Sequence, residues 1–244
     1  MFPNLPELER CIAGPLRRVG LISVGALFAL AGCASESLFQ SSFNSNAIGA
    51  PPSATQAVGT VQVEGAPGSV VIVPPVRNSS ERWVQITRAS VANNQAPISA
   101  MQGNFARTYA DGSYGFLGVL FIPSRSGLAS VEFDTGPSGG PPSTSFLHLD
   151  FLQSGAVRFD DDPSVTFGHF PHDQYFTLSV RIDVTSTTAF ARVTLFGTGT
   201  SGGTFSYPIR RPRFARQYGA IRLWMGYPWT GSFAATDLIV TRNR

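Results

Sequence analysis

The side chains able to do chemistry fall into a few groups along the 244 residues. Glu132 and Asp134 alternate on one short segment, which on an extended strand sends both carboxyl groups to one side. Asp160, Asp161 and Asp162 form an acidic run that could offer hard oxygen ligands to calcium, although acidic residues also end hairpins without any metal. His169 and His172 are spaced H-x-x-H in a segment holding Pro171, with no third ligand in view for zinc. Arg210, Arg211, Arg213 and Arg216 are the densest basic run, suited as a solvated loop or as forks for phosphates or acidic glycans. Two glycine patterns carry no chemistry. Gly136-Pro137-Ser138-Gly139-Gly140 spells a nucleophile elbow but runs into Pro141 and Pro142 rather than a helix. Gly197 to Gly202 spells a dinucleotide fingerprint with no helix to follow.

A second group emerges from alternation. His148, Asp150, Arg158, Arg181, Asp183, Arg222 and Trp224 fall on the outward side of their segments, and Tyr227 and Trp229 sit in a loop just beyond. If these segments are neighbours, they give donors and acceptors for hydroxyl groups and an aromatic ring for stacking. Cross-strand Arg-Asp pairing on a solvent face is the plain alternative, each pair adding a few tenths of a kcal/mol.

The elements that must position these residues are strands. The chain is rich in Gly (25), Pro (18) and Phe (19), is 43% apolar and only 14% charged, which excludes disorder and argues against a helical protein. From Val58 onward the apolar pattern has period two. Expected strands are 60–63, 69–73, 82–88, 116–122, 128–133, 146–152, 156–160, 175–184, 191–195, 220–225 and 233–241. Tyr175 to Val184 is the clearest, with Phe176, Leu178, Val180, Ile182 and Val184 on one face. An antiparallel β-sandwich of two sheets follows.

Before that domain stands Leu30-Ala31-Gly32-Cys33, preceded by an apolar run from Val19 to Leu30 and by Arg17 and Arg18. The run has signal length and is too short to span a bilayer. The ending resembles the lipobox of bacterial lipoproteins, whose cysteine is acylated and becomes the first mature residue. That resemblance implies a signal peptide over 1–32, lipidation (palmitate) at Cys33, and, with Ala34 rather than Asp next, an outer-membrane lipid anchor. Ser35 to Ala57 lacks periodicity and reads as a flexible tether reaching roughly 25 to 30 Å, which sets the domain boundaries at 33–57 and 58–244. Cys11 and Cys33 are the two cysteines, so a mature domain would hold no disulfide. All 18 cationic residues are arginine, and removing the leader lowers the net charge from +3 to about +2, which does not suggest nucleic acid.

Gly168-His169-Phe170 leading to Tyr175–Asp183, Ala191–Gly197, and Gly231-Ser232-Phe233 with Asp237-Leu238-Ile239-Val240 resemble the concanavalin-like, laminin-G-like jelly rolls. The resemblance spans roughly 81–242 and implies frequent glycan binding. Glucan hydrolases of that fold carry Glu-x-Asp-x-x-Glu on one strand. Glu132-Phe133-Asp134-Thr135-Gly136-Pro137 is similar but places proline at the second glutamate. Lyases of the fold use a lysine, and there is none. The expectation is a non-enzymatic, lipid-anchored envelope protein binding a polysaccharide or envelope protein. The alternatives are an assembly or scaffold subunit, or a glycan hydrolase or lyase of unfamiliar site starting from Glu132 and Asp150.

Overall fold

A computed structural model describes residues 35–53, 59–76, 79–89, 98–136, 145–159, 162–210, 216–226 and 229–243. Fifteen strands run in chain order: β1 Ser35–Ser41, β2 Thr60–Glu64, β3 Val70–Val73, β4 Trp83–Arg88, β5 Ser99–Tyr109, β6 Gly112–Phe121, β7 Ala129–Asp134, β8 Ser145–Phe151, β9 Ala156–Phe159, β10 Asp162–His169, β11 Tyr175–Val184, β12 Ala189–Phe196, β13 Thr204–Pro208, β14 Tyr218–Met225 and β15 Gly231–Asn243. There is no helix among the described residues.

The strands make two antiparallel sheets. The first is ordered β13-β12-β11-β6-β15-β4-β3, with β1 also paired to β15. The second is ordered β10-β9-β8-β7-β14-β5-β2. Alternation on β11 does what its sequence dictates: Phe176, Leu178, Val180, Ile182 and Val184 are buried while Tyr175 and Arg181 are exposed. β12 answers it in register, Val180 opposite Val193 and Ile182 opposite Ala191. The inner faces meet in an aromatic core. Phe116 of the first sheet packs edge-on against Phe133 of the second at 5.7 Å, and Tyr114 against Tyr218 at 5.3 Å. Edge-to-face pairs of this kind add to the hydrophobic gain of burying the rings. Burial also pushes the Tyr218 hydroxyl well above its ordinary range, so it stays protonated inside the sandwich.

The tether expected over 33–57 is corrected from Ser35 onward. Ser35–Ser41 is a strand of the first sheet, and Leu38, Phe39 and Phe43 are core residues. Periodicity hid this because the register against β15 shifts between Ser37 and Phe39, so Leu38 and its neighbour Phe39 are both buried. A bulge adds one residue and breaks the two-residue repeat. Residues 54–58 lie outside the described residues.

Strand β5 was not expected either. Its Gln102 and Asn104 alternate with Met101, Gly103 and Phe105, yet all five are buried, so polarity on that strand does not mark a solvent face.

Candidate functional site

Two transverse rows of side chains cross the outer face of the second sheet. The first row is set by register: Gln62 faces Gln102, Gln102 faces Arg222, Arg222 faces Glu132, and Glu132 faces His148. The second runs Glu64, Ala100, Trp224, Ser130, Asp150 and Arg158. Adjacent members stand on strands roughly 4.8 Å apart, so the rows form a continuous polar band across six strands.

Although they point away from the core, Glu132 and Asp150 are each only 2% exposed and Arg222 is 6% exposed. Outward-facing charges are that buried only where neighbouring side chains wall them in, so the face is hollowed. Next to it Gln62, Val63, Glu64, Ala100, Gln102 and Arg222 line a hollow of about 240 Å³.

Buried charges need partners, and these have them. Arg222 reaches Glu64 at 2.5 Å and Glu132 at 3.7 Å. His148 places Nδ1 3.6 Å from Glu132 and Nε2 3.1 Å from Asp150. Asp150 also accepts the Ser130 hydroxyl at 2.8 Å and meets Arg158 at 3.4 Å. Gln102 donates its amide to Asn104 at 2.7 Å. Three carboxylates, two guanidinium groups and an imidazole thus share one network.

Trp224 is the large ring in this band. Its centroid lies 5.4 Å from the His148 ring, tilted by 42°, and the Arg222 guanidinium sits 5.8 Å from it. Gly226 makes room for it. A methyl group there would lie 2.2 Å from Trp224 Cζ3.

The structure therefore brings together His148, Asp150, Arg158, Arg222 and Trp224 and adds Glu132, Glu64, Gln62, Gln102 and Ser130. Arg181 is a correction: it stands with Asp183 on β11, on the outer face of the other sheet, where the two pair at 2.9 Å. A residue's side follows from its position on the strand, but alternation does not say to which sheet the strand belongs. Trp229 lies outside the two rows, in the segment between β14 and β15, 39% exposed, with its carbonyl accepting from Arg88 at 2.6 Å. Cys33, Tyr227, Asp160, Asp161, Arg211 and Arg213 lie outside the described residues, as does the side chain of Asp162. Arg216 forms a two-pronged pair with Asp111 at 2.6 and 2.9 Å. His169 is held by backbone bonds to Ser201, and His172 contacts the Gln153 carbonyl at 2.9 Å. Among the described residues no group of three or more His, Cys, Asp or Glu gathers around a point suited to a metal ion.

No protein-family model matches the chain, and no curated protein matches it in sequence. Solved structures do. The catalytic domain of the glycoside hydrolase family 131 protein from Coprinopsis cinerea superposes with a TM-score of 0.53 at 16% identity, over 84% of this chain and 94% of that one. The endo-1,3-beta-glucanase from Streptomyces sioyaensis gives 0.50 at 12%, over 86% and 96%. Winged bean acidic lectin complexed with methyl-alpha-D-galactose gives 0.50 at 12%, over 86% and 99%. The protein is a concanavalin-like jelly-roll sandwich. At such identities the likeness establishes the fold alone.

Proposed function

We propose that this protein binds a glycan across the outer face of the second sheet and does not cleave it. The carrying observation is the pair of transverse rows, which set Trp224 among buried groups that can donate to and accept from hydroxyls. A sugar offers an apolar ring face to an indole and hydroxyls to its rim, and the band has partners for both. Glu132 and Asp150 are each held against a cation and the same imidazole, which favours binding over acid and base work on a glycosidic bond. The names of the superposing structures, a lectin complexed with a galactoside, a glycoside hydrolase domain and an endo-1,3-beta-glucanase, are consistent with a glycan ligand.

A hydrolase is the second reading, favoured by one observation: Glu132 and Asp150 lie on adjacent strands of the same face. Calorimetry against bacterial and plant polysaccharides, with release of reducing ends followed in the same mixtures, separates the two. Binding that falls at least tenfold in Trp224→Ala without new reducing ends supports the proposal. Reducing ends that vanish in Glu132→Gln support the hydrolase. For location, we propose acylation at Cys33 and an outer-membrane lipid anchor, supported by the Leu30-Ala31-Gly32-Cys33 motif.

A further inference from the structure

A second hollow opens on the outer face of the first sheet, on the far side of the sandwich from the two rows. It measures about 500 Å³, and Asp173, Gln174, Tyr175, Thr177, Phe196 and Thr198 supply its side chains. Tyr175 is 43% exposed and Phe196 is 54% exposed, among the few large apolar side chains of the described residues that solvent reaches so freely. Phe196 stands opposite Thr177, two residues along β11 from Tyr175. The two rings are thus diagonal neighbours whose backbones lie about 7–8 Å apart.

The walls are fixed by backbone. One is the turn entering β11, where Asp173 adopts φ +58° and donates its N–H to the Ile122 carbonyl at 3.1 Å. The other is the turn leaving β12 at Gly197, whose carbonyl accepts from Thr200 N–H and Oγ1. Strand β10 and the second turn are tied together by paired bonds between His169 and Ser201 at 3.0 and 3.2 Å. The hollow is therefore already formed before any ligand arrives, which lowers the ordering cost of binding.

We propose that this hollow is a second glycan subsite, taking a pyranose unit of a neutral polysaccharide against Tyr175 and Phe196. The rings offer apolar faces to the C–H side of a sugar. Gln174, Thr177 and Thr198 supply an amide and hydroxyls to its rim, beside the Asp173 carboxylate, which accepts from Ser124 N–H at 3.3 Å. A wholly apolar ligand would leave Gln174, Thr177 and Thr198 without a polar partner from it, and an anionic glycan would find no cationic side chain among the lining residues. The subsite shares its ligand class with the first face but stands on separate residues. Occupied together, sites on opposite faces would join two polysaccharide chains.

The test is calorimetric titration of the full chain with laminarihexaose, cellohexaose and a galacto-oligosaccharide. Wild type, Trp224→Ala and the double variant Tyr175→Ala/Phe196→Ala are compared, with thermal midpoints recorded for each. The expected result is a site that survives Trp224→Ala and weakens about tenfold or more in the double variant. Because both rings are exposed, the double variant should keep its thermal midpoint. A site lost with the rings but indifferent to Trp224 upholds this subsite even where the first face fails. The subsite is overturned by a double variant that binds every probe as wild type does, or by the absence of any site outlasting Trp224→Ala.

Discussion

His148 lies 3.1 Å from Asp150, its neighbour two residues along β8, with both side chains on the outer face of the sheet. Asp150 is also the acceptor for Ser130 and the counter-charge for Arg158, so one carboxylate holds three partners. Truncating it leaves the buried Ser130 hydroxyl without its acceptor and takes a counter-charge from the partly exposed Arg158 and from His148, which keeps Glu132 at 3.6 Å. Asp150→Ala should therefore destabilise the fold by about 2 kcal/mol. Urea unfolding measures this, and a loss under 1 kcal/mol would show that the network is not held through Asp150.

Gly226 gives a sharper handle on the ligand. With a methyl group only 2.2 Å from its Cζ3, the indole of Trp224 must tilt in Gly226→Ala. The shift should lower glycan affinity about tenfold and change tryptophan fluorescence, while costing about 1–3 kcal/mol of stability from overpacking. Affinity unchanged in a folded Gly226→Ala would remove Trp224 from the binding surface.

Asp237 predicts a pH dependence. It sits at an irregular point of β15, where the register against β6 shifts, with φ +50°. Burial, with the Glu81 charge second, pushes its carboxyl up to about 6. Unfolded, the same group titrates near 4. Folding therefore favours the protonated form, and the stability this contributes is present below about pH 4 and is lost as pH rises to about 6. Asp237→Asn should remove that slope and raise stability above pH 6 by about 1 kcal/mol, discounted for partial solvent access. Asparagine also tolerates the left-handed backbone. Thermal midpoints at pH 4 and pH 7 for both proteins decide it, and parallel shifts would refute the assignment.

Much of the sandwich was legible because half-buried strands announce themselves by alternation. Tyr175–Val184 was bounded to the residue, and Ala191 to Leu195 fell within β12. Strands β1, β5, β10 and β13 were not legible, and the causes that can be named differ from strand to strand. On β5, Gly103 interrupts the apolar positions between Met101 and Phe105, which weakens the alternation, and Gln102 and Asn104 are polar yet buried because they help build the hollowed face. Strand β1 was missed for its bulge. In the site, the side on which His148, Asp150, Arg222 and Trp224 project was readable, since it follows from position on each strand. That Arg181 belongs to the other sheet was not, because strand order is set by long-range pairing that no local pattern encodes.

The burial of β1 is itself testable. Phe39 is fully buried, and its ring occupies the space a side chain at Gly103 would need, with ring atoms 2.7 to 2.9 Å from where a Cβ would stand. Phe39→Ala should cost about 3–5 kcal/mol, the range for removing a buried aromatic ring. A flexible tether would register nothing. Hydrogen exchange at Leu38 to Ser41, expected to be slow and to match β15, gives an independent reading.

Placing β1 in the sheet changes what acylation at Cys33 would do. Only Ala34 separates Cys33 from Ser35, so chain geometry keeps the two Cα atoms within about 8 Å. Ser35 pairs with Asn243, and beside that pair Arg242 stacks over Tyr109. An acylated Cys33 would hold this end of the sandwich against the headgroups, rather than on the 25 to 30 Å arm that a tether of that length would give. Labelled palmitate should enter the wild-type protein and not Cys33→Ser. In vesicles carrying a headgroup quencher, a fluorophore attached beside Asn243 should be quenched strongly. Ten Gly/Ser residues inserted between Ala34 and Ser35 should relieve that quenching while leaving palmitate uptake intact. Equal quenching with and without the insert would place the membrane elsewhere, and palmitate uptake by Cys33→Ser would remove the anchor.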